Sequence, residues 1–405
     1  MLAQINKMAS NSRVNPLSKT VRWVLLLIDR IADSPNTRND TAPYVRGRLC
    51  VPILLNNLFI ASIPCWLIGL WNVGYQSNLV LFESELARIP GWRGLILQGL
   101  GLGPDPENIL ACFMLGLLYF LPLFVAALLV TAFWDVIFSV LRNRQLDAGL
   151  LVSAWLYTLF LPAGAPIGAT MLGLSFGMIF GKHVYGGAGR HLINPVVLGL
   201  LFLWLAYPDS VFSSDNWVPV SDRPQLSALS LASAGGVEAI TAVGLGWWDL
   251  FLGREPGALG TTSVLGCLLA AAYLLFTGTV SWRVLSGALL GTLAIGSLFN
   301  YLADGAASML SVSWGWHAIL GGLAFGTVFF ATDPAVGATT NPGRWAYGVL
   351  VGMLVILIRV ASPAGESAIL SALLLASLFA PIIDFVVIEI HVRKRRRRWQ
   401  EITRE

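Results

Sequence analysis

Charge is what this chain has least of. Only 12% of its 405 residues are Asp, Glu, Lys or Arg, about half the share of an ordinary soluble domain. With 56% hydrophobic residues, the apolar surface exceeds what one core can hide, which excludes a soluble globular fold. Net charge is +4 and the excess sits in one terminal cluster, which excludes nucleic-acid binding. Alternation of apolar and polar residues is missing too. The apolar runs are unbroken and helix-length, so a membrane β-barrel is excluded and an all-α polytopic membrane protein is expected.

Metal-binding patterns are equally scarce. The four cysteines, Cys50, Cys65, Cys112 and Cys267, form no Cys-x-x-Cys pair and cannot hold an iron-sulfur cluster or structural zinc within this chain. The four histidines, His183, His191, His317 and His391, never fall at i, i+4, the spacing of a zincin-type site, and their placement suits no bis-histidine haem. Any redox centre must be an organic cofactor or belong to a partner. The first twenty residues lack an apolar run of signal-peptide length, so no cleaved leader is expected. Within the N-terminal segment 1 to 50, VRWVLLLIDRIA (21 to 32) is too short to span and suits an interfacial helix, with a docked soluble helix as the alternative.

What is there are apolar runs of roughly spanning length. Five lie near 51 to 71, 109 to 130, 148 to 163, 165 to 181 and 194 to 207. Five more lie near 261 to 280, 282 to 300, 314 to 331, 344 to 360 and 367 to 389. The polar stretch 208 to 260 separates the halves, 51 to 207 and 261 to 389. Two five-span halves suggest an inverted repeat, because an odd number of spans flips the second copy. Two pairs of Pro/Gly breaks support it: LPAGAPIG (161 to 168) with DPAVGATTNPG (333 to 343), and GGAGRHLINP (186 to 195) with SPAGESA (362 to 368). Broken backbone at membrane depth is costly unless it lines a cavity or grips a ligand.

Basic residues set the orientation. The tail 390 to 405 with RKRRRR (393 to 398), the Arg-rich N-terminus, Arg142 with Arg144 and Lys182 with Arg190 share one side, read as cytoplasmic. Both termini are then inside and 208 to 260 is outside. The basic run directly follows the last span and reads as an anchor on anionic lipid, with docking to a partner as the alternative.

The richest constellation is GKHVYGGAGRHLINP (181 to 195) with FFATDPAVGATTNPGRWAYG (329 to 348). Glycines let a backbone approach a flat or anionic ligand. Asn194 and Asn341 offer donors and acceptors, and Arg190 and Arg344 can hold a phosphate or polarise a carbonyl. Two helix breaks with snorkelling arginines would leave the same text. Asp333 and Asp384 sit beside apolar residues near span ends and are candidate ion-pathway groups, a helix cap or a pairing with Arg344 or the tail being the plainer reading.

These blocks, together with WNVGYQ (71 to 76) and GREPGALGTTS (253 to 263), resemble the NqrB/RnfD family. Its members are the NqrB component of the sodium-translocating NADH:quinone reductase and its relative, the RnfD component of the Rnf electron-transport complex. The resemblance runs from about Thr37 to the basic tail and is closer to the reductase. It implies a ten-helix inverted-repeat fold like that of urea transporters, in a bacterial inner membrane. It also implies flavins that relay electrons while sodium moves, beside flavoprotein or iron-sulfur subunits, with quinone as a further expected partner near 131 to 149. Gly186, Gly187, Gly189, Arg190, Asn194 and Pro195 are the implied neighbours of a non-covalent riboflavin or FMN.

Two departures temper the implied chemistry. Relatives attach a covalent FMN within Asp-x-x-Ser-Gly-Ala-Thr, where this chain has SDRPQLSALSLA (221 to 232). Ser227 takes the acceptor position with Leu226 in place of glycine, so no covalent flavin is expected. Thr339 in DPAVGAT matches the pattern as text but falls on the other side. Relatives also carry Glu where this chain has His183, Thr261 and Gln145, and where Asp135 and Asp147 are shorter, which weakens sodium coupling. The leading expectation is an electron-transferring membrane subunit holding flavin. The rivals are a flavin-free channel or transporter of urea-transporter type and a structural anchor of a redox assembly.

Overall fold

A computed structural model describes residues 51–83, 91–142, 149–220, 225–303, 308–362 and 367–402. The interfacial helix expected at 21 to 32, the rest of the segment 1 to 50, and Arg144, Gln145 and Asp147 lie outside these residues. Among the described residues every regular element is a helix. In chain order they are α1 (Val51–Glu83), α2 (Trp92–Gly99), α3 (Ile109–Leu141), α4 (Leu150–Leu159) and α5 (Ile167–Phe176), which runs on into a π-helical turn, Gly177–His183. Next come α6 (Pro195–Ala206), α7 (Pro208–Val211), α8 (Ser214–Trp217), α9 (Ala228–Ala242), α10 (Trp247–Leu252), α11 (Val264–Phe276) and α12 (Trp282–Leu302). Last are α13 (Trp314–Ile319), α14 (Leu323–Phe325) with a second π turn, Gly326–Ala331, then α15 (Asn341–Ala361) and α16 (Ala368–Ile402).

Five of these, α1, α3, α12, α15 and α16, are long and apolar enough to cross a membrane alone, and α6 with α7–α8 is apolar enough only as a pair bent by 102°, the form of a broken span or a re-entrant loop. The chain is a multi-pass membrane protein. The remaining apolar runs became the shorter helices α4 and α11, the bent α6 unit or the units broken by π turns. Small residues let the long helices touch. A Cβ on Gly291 or Gly352 would strike the facing backbone of α15 or α12, so these positions set how closely the pair approaches.

One construction occurs twice. A long helix leads to a short one, a break, a second short helix ending in a π turn, a glycine-bearing loop and a helix started by proline. The first copy runs α3, α4, break 160–166, α5, loop 184–194, α6. The second runs α12, α13, break 320–322, α14, loop 332–340, α15. This pairs the breaks differently from the sequence reading. LPAGAPIG corresponds to Leu320-Gly321-Gly322, and GGAGRHLINP corresponds to DPAVGATTNPG. The second break holds no proline. Its two glycines at φ 58° and 67° turn the chain inside an apolar run that reads as one span, whereas the prolines of the first divide 148 to 163 from 165 to 181.

The fully buried Arg359 of α15 closes the second break, donating to the carbonyls of His317 (2.7 Å) and Leu320 (2.6 Å) at the end of α13. Those carbonyls have no intrahelical partner, and in an apolar interior an unmet one is costly. The segment 208 to 260, read as a polar loop, instead carries α7 to α10. Of these, α9 and α10 share a smaller core with Val264, Met309, Val312, Ile319 and Leu320.

Candidate functional site

The two π turns end in loops that meet. Asn194 caps α6, its Oδ1 accepting from the N–H of Val196 (3.0 Å), and Pro195 takes the first helical position. Thr340 does the same for α15 through the N–H of Gly343 (3.2 Å). Gly186, Gly187 and Gly189 have φ of 112°, 109° and 79°, a region where side chains are strained, so this loop requires glycine. Asp333 ties the loops together. Its Oδ2 accepts from Asn194 Nδ2 (2.9 Å) and lies 3.1 Å from His191 Nε2, and its Oδ1 accepts from the N–H of Ala335 (3.0 Å). Burial alone would raise the Asp333 carboxyl. The bonds from His191, Ala335 and Asn194 more than offset this, holding it below the ordinary carboxylate value.

The sequence-derived residues divide into four groups. Gly186, Gly187, Gly189, Asn194 and Pro195 come together with Asp333, and Arg190 stands exposed with its stem against Gly186. Asn341 is exposed at the first position of α15 and Arg344 is half-buried one turn on. Asp333 pairs with His191, not with Arg344. Asp384, on α16, accepts from the N–H and hydroxyl of Thr339 (2.7 and 2.8 Å) and of Thr340 (3.0 and 2.6 Å). With four donors on one carboxylate it acts as a cap for α15 delivered from 44 residues away. The Thr339 hydroxyl is thereby engaged.

Ser227 lies elsewhere. It caps α9, its Oγ accepting from the N–H of Ser230 at 3.2 Å, and is buried. It borders a cavity whose wall includes Phe160 and Gly322 from the two breaks, Trp217, Glu255 and Thr262. Ser227→Ala should cost about 1 kcal/mol of stability, a typical cap loss, read as a small fall in melting temperature.

Sequence reasoning missed a buried charge cluster. Lys182 Nζ contacts Asp135 Oδ1 and Oδ2 at 2.8 and 3.0 Å. His183 Nε2 lies 2.9 Å from the same Oδ1 without the alignment of a hydrogen bond. The His183 ring stacks on Phe138, centroids 4.4 Å apart, and Asp135, Lys182 and His183 are all buried. Lys182, read as a topology signal, is therefore not an interfacial cation. The sequence signal was an aspartate inside TAFWDVIF and a Lys-His pair ending an apolar run.

Long apolar helices, two helices broken at their middle and loops joined at a part-buried carboxylate define a polytopic α-helical membrane protein. The model of the NQR2, RnfD, RnfE family matches residues 38–393, and the chain belongs to that family. It is 37% identical over 378 residues to the B subunit of the Na(+)-translocating NADH-quinone reductase of Azotobacter vinelandii, covering 92% of this chain and 94% of that one. The B subunits of the same enzyme from Pseudomonas paraeruginosa (36% over 370 residues, 91% and 92% covered) and Chromohalobacter salexigens (36% over 371, 92% and 90%) are similar to it as well.

Proposed function

We propose that the chain is a membrane subunit that holds a non-covalent flavin, riboflavin or FMN, and relays electrons across the bilayer beside other redox subunits, with cation movement coupled to that flow. The observation that carries this reading is the clamp at Asp333, which joins a loop of three positive-φ glycines to a second loop that leads into Asn341 and Arg344 in the first turn of α15. Two polar atoms at the site have no hydrogen-bond partner among the described residues, His191 Nδ1 and the hydroxyl of the buried Tyr347. Tyr185 and Leu192 are exposed on the glycine-bearing loop and offer apolar surface for a flat ring. Gly186, Gly187, Gly189, Arg190, Asn194 and Pro195 would hold the flavin from one loop and Asn341 and Arg344 from the other. Bound flavin supplies electron-transfer chemistry that side chains lack, and the protein's part is position and electrostatics. Denatured pure protein should release riboflavin or FMN into the filtrate; folded protein that releases none overturns the proposal.

Relatives named as B subunits of an NADH-quinone reductase support placing the chain in a multi-subunit assembly of a bacterial inner membrane, with quinone as a further partner. The engaged hydroxyls of Ser227 and Thr339 support a flavin that is not covalent. Under denaturing conditions the chain should run without in-gel flavin fluorescence. A fluorescent band lost in Ser227→Ala would contradict that.

For topology, both termini are assigned inside and 208 to 260 outside. Leu226 is half exposed, so Leu226→Cys should react with an impermeant maleimide in intact cells. Protection there, with labelling of a cysteine placed in the tail, inverts the assignment. The cavity between the two breaks favours one second reading, a flavin-free solute pathway. A colourless, flavin-free but folded preparation would select it.

A further inference from the structure

The segment 208 to 260 reads from sequence as a polar loop outside the membrane, yet α10 within it stands at membrane depth. The scale comes from α12. Its 21 residues measure about 31 Å at 1.5 Å per residue, which matches a hydrocarbon core of about 30 Å. An aromatic side chain stands exposed near each end, Trp282 and Tyr301, the placement of interfacial anchors. Tyr301, 85% exposed, marks the boundary on the side of 208 to 260.

Contacts on two neighbours place α10 inside that boundary. A Cβ on Gly296 would lie 3.2 Å from the Cβ of Trp314. The start of α13 is therefore level with a residue five positions before Tyr301, about 7 Å deeper along α12. The next residue, Gly315, accepts from Trp247 Nε1 of α10 at 3.4 Å. From the opposite boundary α11 gives the same depth. It ends at Phe276, 91% exposed, and the turn 277–281 joins it to Trp282. Its 13 residues measure about 20 Å, so its start at Val264 is about 10 Å short of the Tyr301 plane. Leu250 of α10 shares a core with Val264 and Ile319.

The surface of α10 suits this depth. Trp248 is 68% exposed, and Val243 and Leu252 are exposed as well. Asp249 and Arg254, 3.7 Å apart, form a charged edge beside them. An apolar face with a charged edge belongs to a helix lying in the interface, its apolar side about 5–10 Å into the acyl boundary, and the Arg254 stem carries its charge back to water. The neighbouring α11, on which α10 packs, exposes Leu268 and Leu269, so apolar surface continues below. The irregular stretch 253 to 263 between the two helices is mostly buried, as broken backbone at membrane depth has to be.

We infer that residues 243 to 252 lie in the lipid interface on the side of 208 to 260, with Trp248 and Leu252 against lipid. The full chain with Cys50→Ser tests this, because Cys65, Cys112 and Cys267 are buried. It receives one new cysteine at a time, Trp248→Cys or Leu252→Cys, with Tyr301→Cys as the boundary reference and Glu107→Cys, in an exposed acidic loop, as the water reference. Each is labelled with nitrobenzoxadiazole and reconstituted in phospholipid vesicles. Aqueous iodide should quench the label at 248 and 252 at least about threefold less than at 107, and lipid spin-labelled near its headgroup should quench it as strongly as at 301. Iodide quenching at 248 and 252 equal to that at 107 overturns the inference. A photo-crosslinking phenylalanine analogue at position 248 of the full chain, in host membranes, should give lipid adducts. A protein adduct there assigns this face to another subunit and overturns the inference as well.

Discussion

Lys182→Met is expected to destabilise the protein by about 3–5 kcal/mol, because it leaves the Asp135 carboxylate buried without its cation. Both side chains are all but inaccessible, 2% and 0% exposed, so neither water nor salt can screen the loss. The charge pair itself contributes little, since burying it costs about as much as its attraction returns. The double variant Asp135→Leu with Lys182→Met should therefore unfold close to wild type. Thermal unfolding of the four proteins in one detergent measures the cycle. A single variant as stable as wild type, or a double variant worse than the single, contradicts the buried-pair account.

Asp333→Ala is the second large effect. It removes the acceptor for His191, Asn194 and the Ala335 N–H. Bonds to a charged group contribute about 1.5–3 kcal/mol each, not additively. The two loops should separate, flavin retention should fall, and proteolysis between 184 and 194 should become faster than in wild type. The same clamp responds to pH. The Asp333 carboxyl is held below its ordinary value, so its contribution is complete above about pH 4 and is lost as pH falls below it. Wild type should loosen in that range while Asp333→Ala, already loosened, shows no such step. A step of equal size in both would assign it to other carboxylates.

Helices were legible where an apolar run stood alone. The runs near 51, 109, 282, 344 and 367 became α1, α3, α12, α15 and α16, since in lipid a continuous apolar stretch has few options besides helix. The break at Leu320 to Gly322 was not legible. It carries no proline, and the group that makes it affordable, Arg359, lies 39 residues on from Leu320. In the candidate site, glycines and prolines marked the loops because their backbone demands are local. Their partners are not local. Asp333 reaches His191 across 142 positions and Lys182 reaches Asp135 across 47, and only packing creates such pairs. Asp384 looked like an isolated acid near a span end because its donors, Thr339 and Thr340, sit in the loop before a different helix.

The flavin content of purified, folded protein is the most direct test of the central claim. Wild type, denatured and filtered, should yield riboflavin or FMN in a fixed ratio to protein, none of it fluorescent in the denaturing gel, and Asp333→Ala should yield markedly less. A filtrate free of flavin from protein that unfolds cooperatively, or flavin content unchanged by Asp333→Ala, would contradict the account.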